Sequence, residues 1–245
     1  MSSSRIVLAA LATTSLCGAV NADFVGLNIG ASYWTPDLKG SFTSTTAGSN
    51  RVDLNSDLGY KDHSSTSLNI SLEHPIPLLP NVRYSGSDLN VSSSSPNSSF
   101  SFNGITYNGA INSTLDLSHN DIVLYYELLD NWINVDLGLD LKKFDGKVSI
   151  NNDPGIKVDE TIPMLYLAAR FDLPLTGFYV GANIQQLSIG DNSSEDSTLM
   201  VGYESKVGLG IEGGIKTFTI DLDDANNLNT KLEYDGLYLN GYFHF

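Results

Sequence analysis

The chain has 245 residues, with 13 Lys+Arg against 28 Asp+Glu, a formal net charge of −15, and 22 Gly, 12 Tyr and 10 Phe. A protein this acidic repels nucleic acid phosphates, so no nucleic-acid partner is expected. Beyond the N-terminus there is no long apolar run, which excludes a helical membrane protein; a membrane barrel escapes that test because only alternate residues face lipid.

Arg5 in a charged start, a short apolar stretch 6–17 and the small-residue site Val20-Asn21-Ala22 predict a secretory signal peptide. A cut after Ala22 leaves residues 23–245 as one barrel domain. The apolar run is too short to span a bilayer as a helix. Cys17 is the only cysteine, and Thr14 stands where a lipoprotein signal wants Leu, so lipidation is not expected. The mature chain then has no disulfide or cysteine-held metal. Without Arg5 it has 12 basic and 28 acidic residues, a charge of −16.

The mature chain breaks into ten alternating segments. Phe24–Trp34 sets Val25, Leu27, Ile29, Ala31 and Tyr33 against Gly26, Asn28, Gly30, Ser32 and Trp34. Side chains on a strand point alternately to its two faces, so this segment has one apolar and one polar face. A polar loop over 35–65 follows. Leu68, Ile70 and Leu72 define the second strand, 66–74, and the three prolines 75, 77 and 80 a turn. The third strand runs from Asn81 to about Asn90, and Ser92–Phe102 reads as a Ser/Asn-rich loop.

The fourth strand, about 112–128, carries a conflict. Ile122, Leu124, Tyr126 and Leu128 share one parity, while Leu115 and Leu117 take the other. A bulge near His119 reconciles them, or the strand projects beyond the membrane. The fifth alternates most clearly, with Ile133, Val135, Leu137, Leu139 and Leu141 against Asn134, Asp136, Gly138, Asp140 and Lys142. After a polar loop at 147–159, strands follow around Leu165–Leu173, Phe178–Gln185, Leu199–Lys206, Leu209–Lys216 and Lys231–Phe245. They are separated by a turn at 174–177, an acidic loop at 190–196, a turn at 205–208 and a loop at 221–229.

Long and short connections therefore alternate, with five polar loops on one side and four tight turns and both termini on the other. The expected fold is all-β, an antiparallel up-and-down transmembrane barrel of ten strands, with eight as the alternative. Its long loops face outside from a Gram-negative outer membrane. The polar faces supply a lumen network of Glu73, Arg83, Glu127, Asp136, Asp140, Lys142, Arg170, Asp172, Glu204, Lys206, Glu212 and Lys216. Trp34, Tyr33, Tyr84, Tyr126, Trp132, Phe171, Phe178, Tyr203, Phe243 and Phe245 are placed in interfacial girdles. The opposite reading, a secreted soluble β-barrel or sandwich, turns the apolar face inward.

Leu237, Leu239, Gly241, Phe243 and Phe245 alternate up to a terminal aromatic residue. This resembles the C-terminal insertion signal of bacterial outer-membrane barrels, with Gly241 departing from the larger apolar residue usual there. The hairpin Val207–Gly214, the loop Asp221–Asp224 and the run from Asp235 to Phe245 widen the resemblance. The chain resembles an uncharacterised family of small Gram-negative outer-membrane β-barrel proteins. That resemblance implies fold, location, contact with outer-membrane lipid and recognition by barrel-assembly machinery through the last strand; it brings no activity. A monomer is expected.

Candidate chemistry is sparse. His119 and Asp121, two residues apart on one parity, could serve general-base chemistry at the barrel mouth. A histidine without a role suits the same spacing, and no nucleophile elbow is present. His63, His74 and His244 make no metal-spaced set. The acidic loop around Asp221, Asp223 and Asp224 lacks the EF-hand glycine, having Asn226 there. No cofactor or enzymatic activity is expected, while a narrow pore stays open as a reading. Near the midplane Leu137→Arg should destabilise, whereas Gly138→Ser should be mild.

Overall fold

The computed structural model describes residues 25–151, 153, 155–225 and 228–245. The expected signal peptide and its cleavage site lie outside the described residues. Fifteen strands are described, running β1 (Gly26–Ser44), β2 (Arg51–Asp53), β3 (Ser65–Glu73), β4 (Asn81–Asp88), β5 (Asn90–Phe102), β6 (Ile105–Asp116), β7 (His119–Leu129) and β8 (Ile133–Phe144). Then come β9 (Gly146–Ile150), β10 (Ile156–Val158), β11 (Thr161–Asp172), β12 (Phe178–Ile189), β13 (Asn192–Glu204), β14 (Leu209–Ala225) and β15 (Leu228–His244).

Ten of them pair in the order β1-β3-β4-β7-β8-β11-β12-β13-β14-β15, and β15 returns to β1. The closing ladder runs from Asn28↔His244 to Ser44↔Leu228. All ten pairings are antiparallel, so no barrel edge is left with unpaired backbone groups. The barrel is the ten-stranded one, not the eight-stranded alternative.

The outward faces of its lower half are apolar and exposed, including Ile29, Leu68, Ile70, Leu124, Leu137, Leu139, Leu165, Leu199, Ile211 and Leu239. On β8 the band runs from Ile133 to Leu141, about the 9–11 residues that a tilted transmembrane strand needs. Its interior side is polar. This inside-out arrangement is that of a transmembrane barrel.

Beyond the band the two faces exchange chemistry. On β1 the outward residues turn polar at Thr35, Asp37 and Lys39, while Trp34, Leu38 and Phe42 are buried inside. On β15 the same exchange puts Asp235 and Glu233 outside, with Tyr234 and Leu232 inside; on β14 Thr217 faces out and Phe218 in. A strand that leaves hydrocarbon for water must hide its apolar side chains inward, so its parity inverts.

A break in the chain settles the conflict on the fourth predicted strand. The expected strand over 112–128 is two: β6 ends at Asp116 outside the barrel and β7 begins at His119 within it. The buried Leu115 and Leu117 therefore do not share the alternation of β7, whose ladder with β4 runs through His119 without a shift. No bulge is needed there; the register shift on β7 lies at Glu127/Leu129, in its pairing with β8.

Several expected loops are strands. Ser92–Phe102 forms most of β5, and the expected loop over 147–159 holds most of β9 and all of β10. With β6 these make a second sheet, β10-β9-β6-β5. The expected loops at 190–196 and 221–229 shrink because β12 to β15 run on past the band. Ser/Thr/Asn side chains pair across β5 and β6, as in Ser94 to Asn112 (2.7 Å) and Ser99 to Asn108 (2.7 Å), which is how so polar a sequence holds a hairpin.

Candidate functional site

Three layers fill the barrel. At the short-turn end lies a polar cavity of about 880 Å³. Above it sits a buried charged cluster, and above that an apolar cap closes the long-loop end.

In the cavity, Arg83 lies between two tyrosines, donating to Tyr166 Oη (2.7 Å) with its guanidinium 5.4 and 5.5 Å from the Tyr125 and Tyr166 ring centres. Tyr125 donates to Glu73 (2.7 Å). Arg170 pairs with Asp172 (2.8 Å) and Glu204 (3.3 Å) and stacks 3.7 Å over Tyr179. Glu212 accepts from Tyr179 (2.9 Å), Tyr238 (3.3 Å) and Asn240 (3.4 Å). Tyr242 and His244 complete the group around Glu204. Glu127 and Asp136 line the same cavity.

The charged cluster centres on Lys142, which is fully buried. Its Nζ is 2.9 Å from Asp121 and 3.3 Å from Asp196, and Asp196 also holds Lys216 at 3.1 Å. Asp140 is fully buried beside them, and neither of its carboxylate oxygens has a hydrogen-bond partner. Asp121, Asp196 and Lys216 form the top of the cavity, Lys142 and Asp140 lie buried behind them, and the opposite charges neutralise one another there.

Eleven of the twelve residues expected in the lumen lie on its inner face; Lys206 does not. β13 ends at Glu204, and Lys206 falls in the exposed 205–208 turn. Alternation stops having meaning where the chain turns. Asp121, Asp196 and the tyrosines 125, 166, 179, 238 and 242 also lie in the lumen, beside the charged residues named from the sequence. Asp196 was readable by counting back from Thr198 and Met200 on one parity, had the strand been taken as longer.

His119 and Asp121 do not lie at a mouth. His119 Nδ1 donates to the Leu117 carbonyl at 2.8 Å, which leaves Nε2 as an acceptor facing the Asp121 carboxylate at 3.8 Å. The ring is buried between Phe144 and Phe218, at centroid distances of 5.3 and 5.6 Å. Asp121 is committed to Lys142.

The cap is a hydrophobic core built from both sheets. Leu38, Phe42, Phe144, Phe218, Ile220 and Leu232 of the barrel strands meet Val91, Phe102, Ile111, Leu115 and Val148 of the second sheet, and Val52, Leu54 and Leu58 of the β1–β3 connection. Burial pushes the Tyr60 hydroxyl up to about 12. Burial, with the carboxylate of Asp153 accepting its hydrogen bond, does the same to Tyr107. Trp34 belongs to this cap and not to an interfacial girdle, because it lies on the inward parity and is buried. Tyr33, Tyr84, Tyr126, Trp132, Phe178, Tyr203 and Phe245 are exposed on the outside.

Leu237, Leu239 and Phe245 face outward and exposed, with Phe243 packed edge-on against Phe245 at 4.3 Å. Gly241 shares their face, and a Cβ there would meet nothing within 4 Å.

No protein-family signature and no curated protein sequence matches the chain. Among solved structures it is similar to a Pseudomonas aeruginosa FadL homologue, at 7% identity over 91% of this chain and 90% of that one, TM-score 0.35. It is similar to an outer membrane channel from Pseudomonas putida F1 at 16% identity over 93% and 100%, TM-score 0.34. The translocator domain of the autotransporter NalP from Neisseria meningitidis shares 14% identity over 90% and 88%, TM-score 0.32. At these scores the likenesses carry nothing over to this chain.

Proposed function

We propose that the chain is an integral outer-membrane barrel without catalysis, which presents the second sheet as a structured cap to the outside and keeps its lumen shut. The observation that carries this is the apolar core stacked on the Lys142 cluster. A water path from the cavity would have to cross both a salt-bridged layer of side chains and a packed hydrocarbon layer. The outward apolar band supports the bilayer as its surroundings, and the placing of long connections at one end supports that end as the exterior. The His119–Asp121 pair offers no reactive group to solvent, which favours a structural role over hydrolysis.

The test is purified folded protein in planar bilayers, after heat-dependent migration and carbonate resistance have established insertion. Silence at the single-channel level is the expected result, and steady conductance steps would refute the closed lumen. A gated narrow pore is the second reading, favoured by the cavity of about 880 Å³ below the cap. Conductance gained on deleting the hairpin between Leu89 and Leu117 would select it.

A further inference from the structure

β3 and β4 are the low side of the barrel wall, stopping at Ser65 and Asp88. Where they stop, the outer surface holds a recess of about 720 Å³. Its floor follows one row of ladder partners, Ala31↔Leu68↔Gly86. Its upper edge is Thr66, Asp88, Asn120 and, from the cap overhanging it, Asp145. Tyr84 closes one flank, its hydroxyl donating to Asn120 at 2.6 Å.

The recess sits across the level where outward residues change from apolar to polar, with Leu68 below Thr66 and Ile122 below Asn120. Its lower half therefore continues the lipid-facing band, and its upper half lies at the bilayer surface with two carboxylates. On the β1 side it ends at Ala31, whose partner in the closing ladder, Gly241, leaves open space beside it on the same outer face. The volume is within the range of small-ligand pockets, about 300–1,000 Å³.

We infer that this recess is a binding site for one membrane amphiphile. Its hydrocarbon chain lies against Ala31, Leu68 and the gap at Gly241, and an ammonium-bearing headgroup sits under Asp88 and Asp145. Hydrocarbon fills the lower half because water there would face only apolar side chains. The carboxylates attract a cation at the surface and repel an anionic headgroup. The inference rests on the membrane-spanning reading, whose own test, resistance to carbonate extraction, can pass while this one fails.

The test is native mass spectrometry of the folded mature chain in detergent micelles, titrated with palmitoyl lysophosphatidylethanolamine and, separately, its phosphatidylglycerol counterpart. One ethanolamine lipid should bind at a concentration about tenfold below that needed for the glycerol lipid. Ala31→Phe with Gly241→Leu should abolish the adduct, and Asp88→Asn with Asp145→Asn should bring the two lipids level. If the double filling variant does not fold, judged by heat-dependent migration, Gly241→Leu alone carries the test. Absence of a single-lipid adduct, equal binding of both lipids to wild type, or unchanged binding after filling would each overturn the site. So would a wild-type dimer that the filling variant dissociates, since a second copy would then own the recess.

Discussion

Leu137 and Gly138 are neighbours on β8 that face opposite media, and substituting each isolates one half of the physics. Leu137 lies midway along the band, 40% exposed outside a barrel whose outer face is hydrocarbon-bound. Leu137→Arg should destabilise by roughly 2–4 kcal/mol near the midplane. Gly138 points inward, and the sequence alone suggested that Ser would fit there. The structure overturns that expectation, because a Cβ at 138 would stand 2.2 Å from the Leu124 carbonyl oxygen and 2.8 Å from Tyr125 Cα and Cβ. These atoms belong to the paired strand β7, so a mobile side chain cannot simply move aside. Gly138→Ala should cost about 1–3 kcal/mol as an overpacking change, and Gly138→Ser no less. The assay is reversible urea unfolding in phospholipid vesicles, followed by heat-dependent gel migration. Leu137→Arg at wild-type stability would refute the lipid-facing assignment. Gly138→Ala within about 0.5 kcal/mol of wild type, the usual scatter of neutral surface changes, would refute the β7–β8 packing.

Phe218→Ala removes a fully buried cap side chain that packs on His119, Phe144 and Tyr234, and should cost about 3–5 kcal/mol in the same assay. Lys142→Met strips the cation from Asp121 and Asp196 beside the partnerless Asp140, and should cost about 3–5 kcal/mol. Adding Asp121→Asn should recover part of it; a double variant no more stable than the single would count against the cluster. In the cap loop, the Ser56 amide holds the Asp53 carboxyl below its usual range, helped by the Ser56 hydroxyl and the Asn55 amide. A lowered folded value means the stabilisation is present above the unfolded pKa and is lost as pH falls through the folded one. Hydrogen-exchange protection of Asn55 and Ser56, relative to intrinsic rates, should therefore drop only below about pH 4. Protection lost between pH 7 and 5 would contradict that turn.

Local alternation is enough to lay out the strands of a lipid-bound wall, because it needs apolar residues at every second position whatever the neighbouring strand contributes, while the side that meets lipid is read from the polar faces, the aromatic residues and the terminal strand. The sequence by itself therefore pointed to ten strands, with closure deciding against eight, and determined the outward face from Val25 to Tyr33 and from Ile133 to Leu141 and most of the inward charges. The opposite parity of Leu115 and Leu117 marked where the pattern of a single strand fails, without saying that the chain breaks there and leaves the barrel for a second sheet. Only tertiary structure decided that β5, β6, β9 and β10 fold over the barrel end. These Ser-rich strands carry only a sparse apolar stripe, such as Val91 and Phe102 on β5 and Ile111 and Leu115 on β6, which is buried only when they pair over a shared core. Only tertiary structure joined Lys142, Asp121 and Asp196, or placed Trp34 under a roof and Lys206 outside the lumen. Those positions depend on ladder register across strands far apart in the chain, and register is fixed by closure of the whole cylinder.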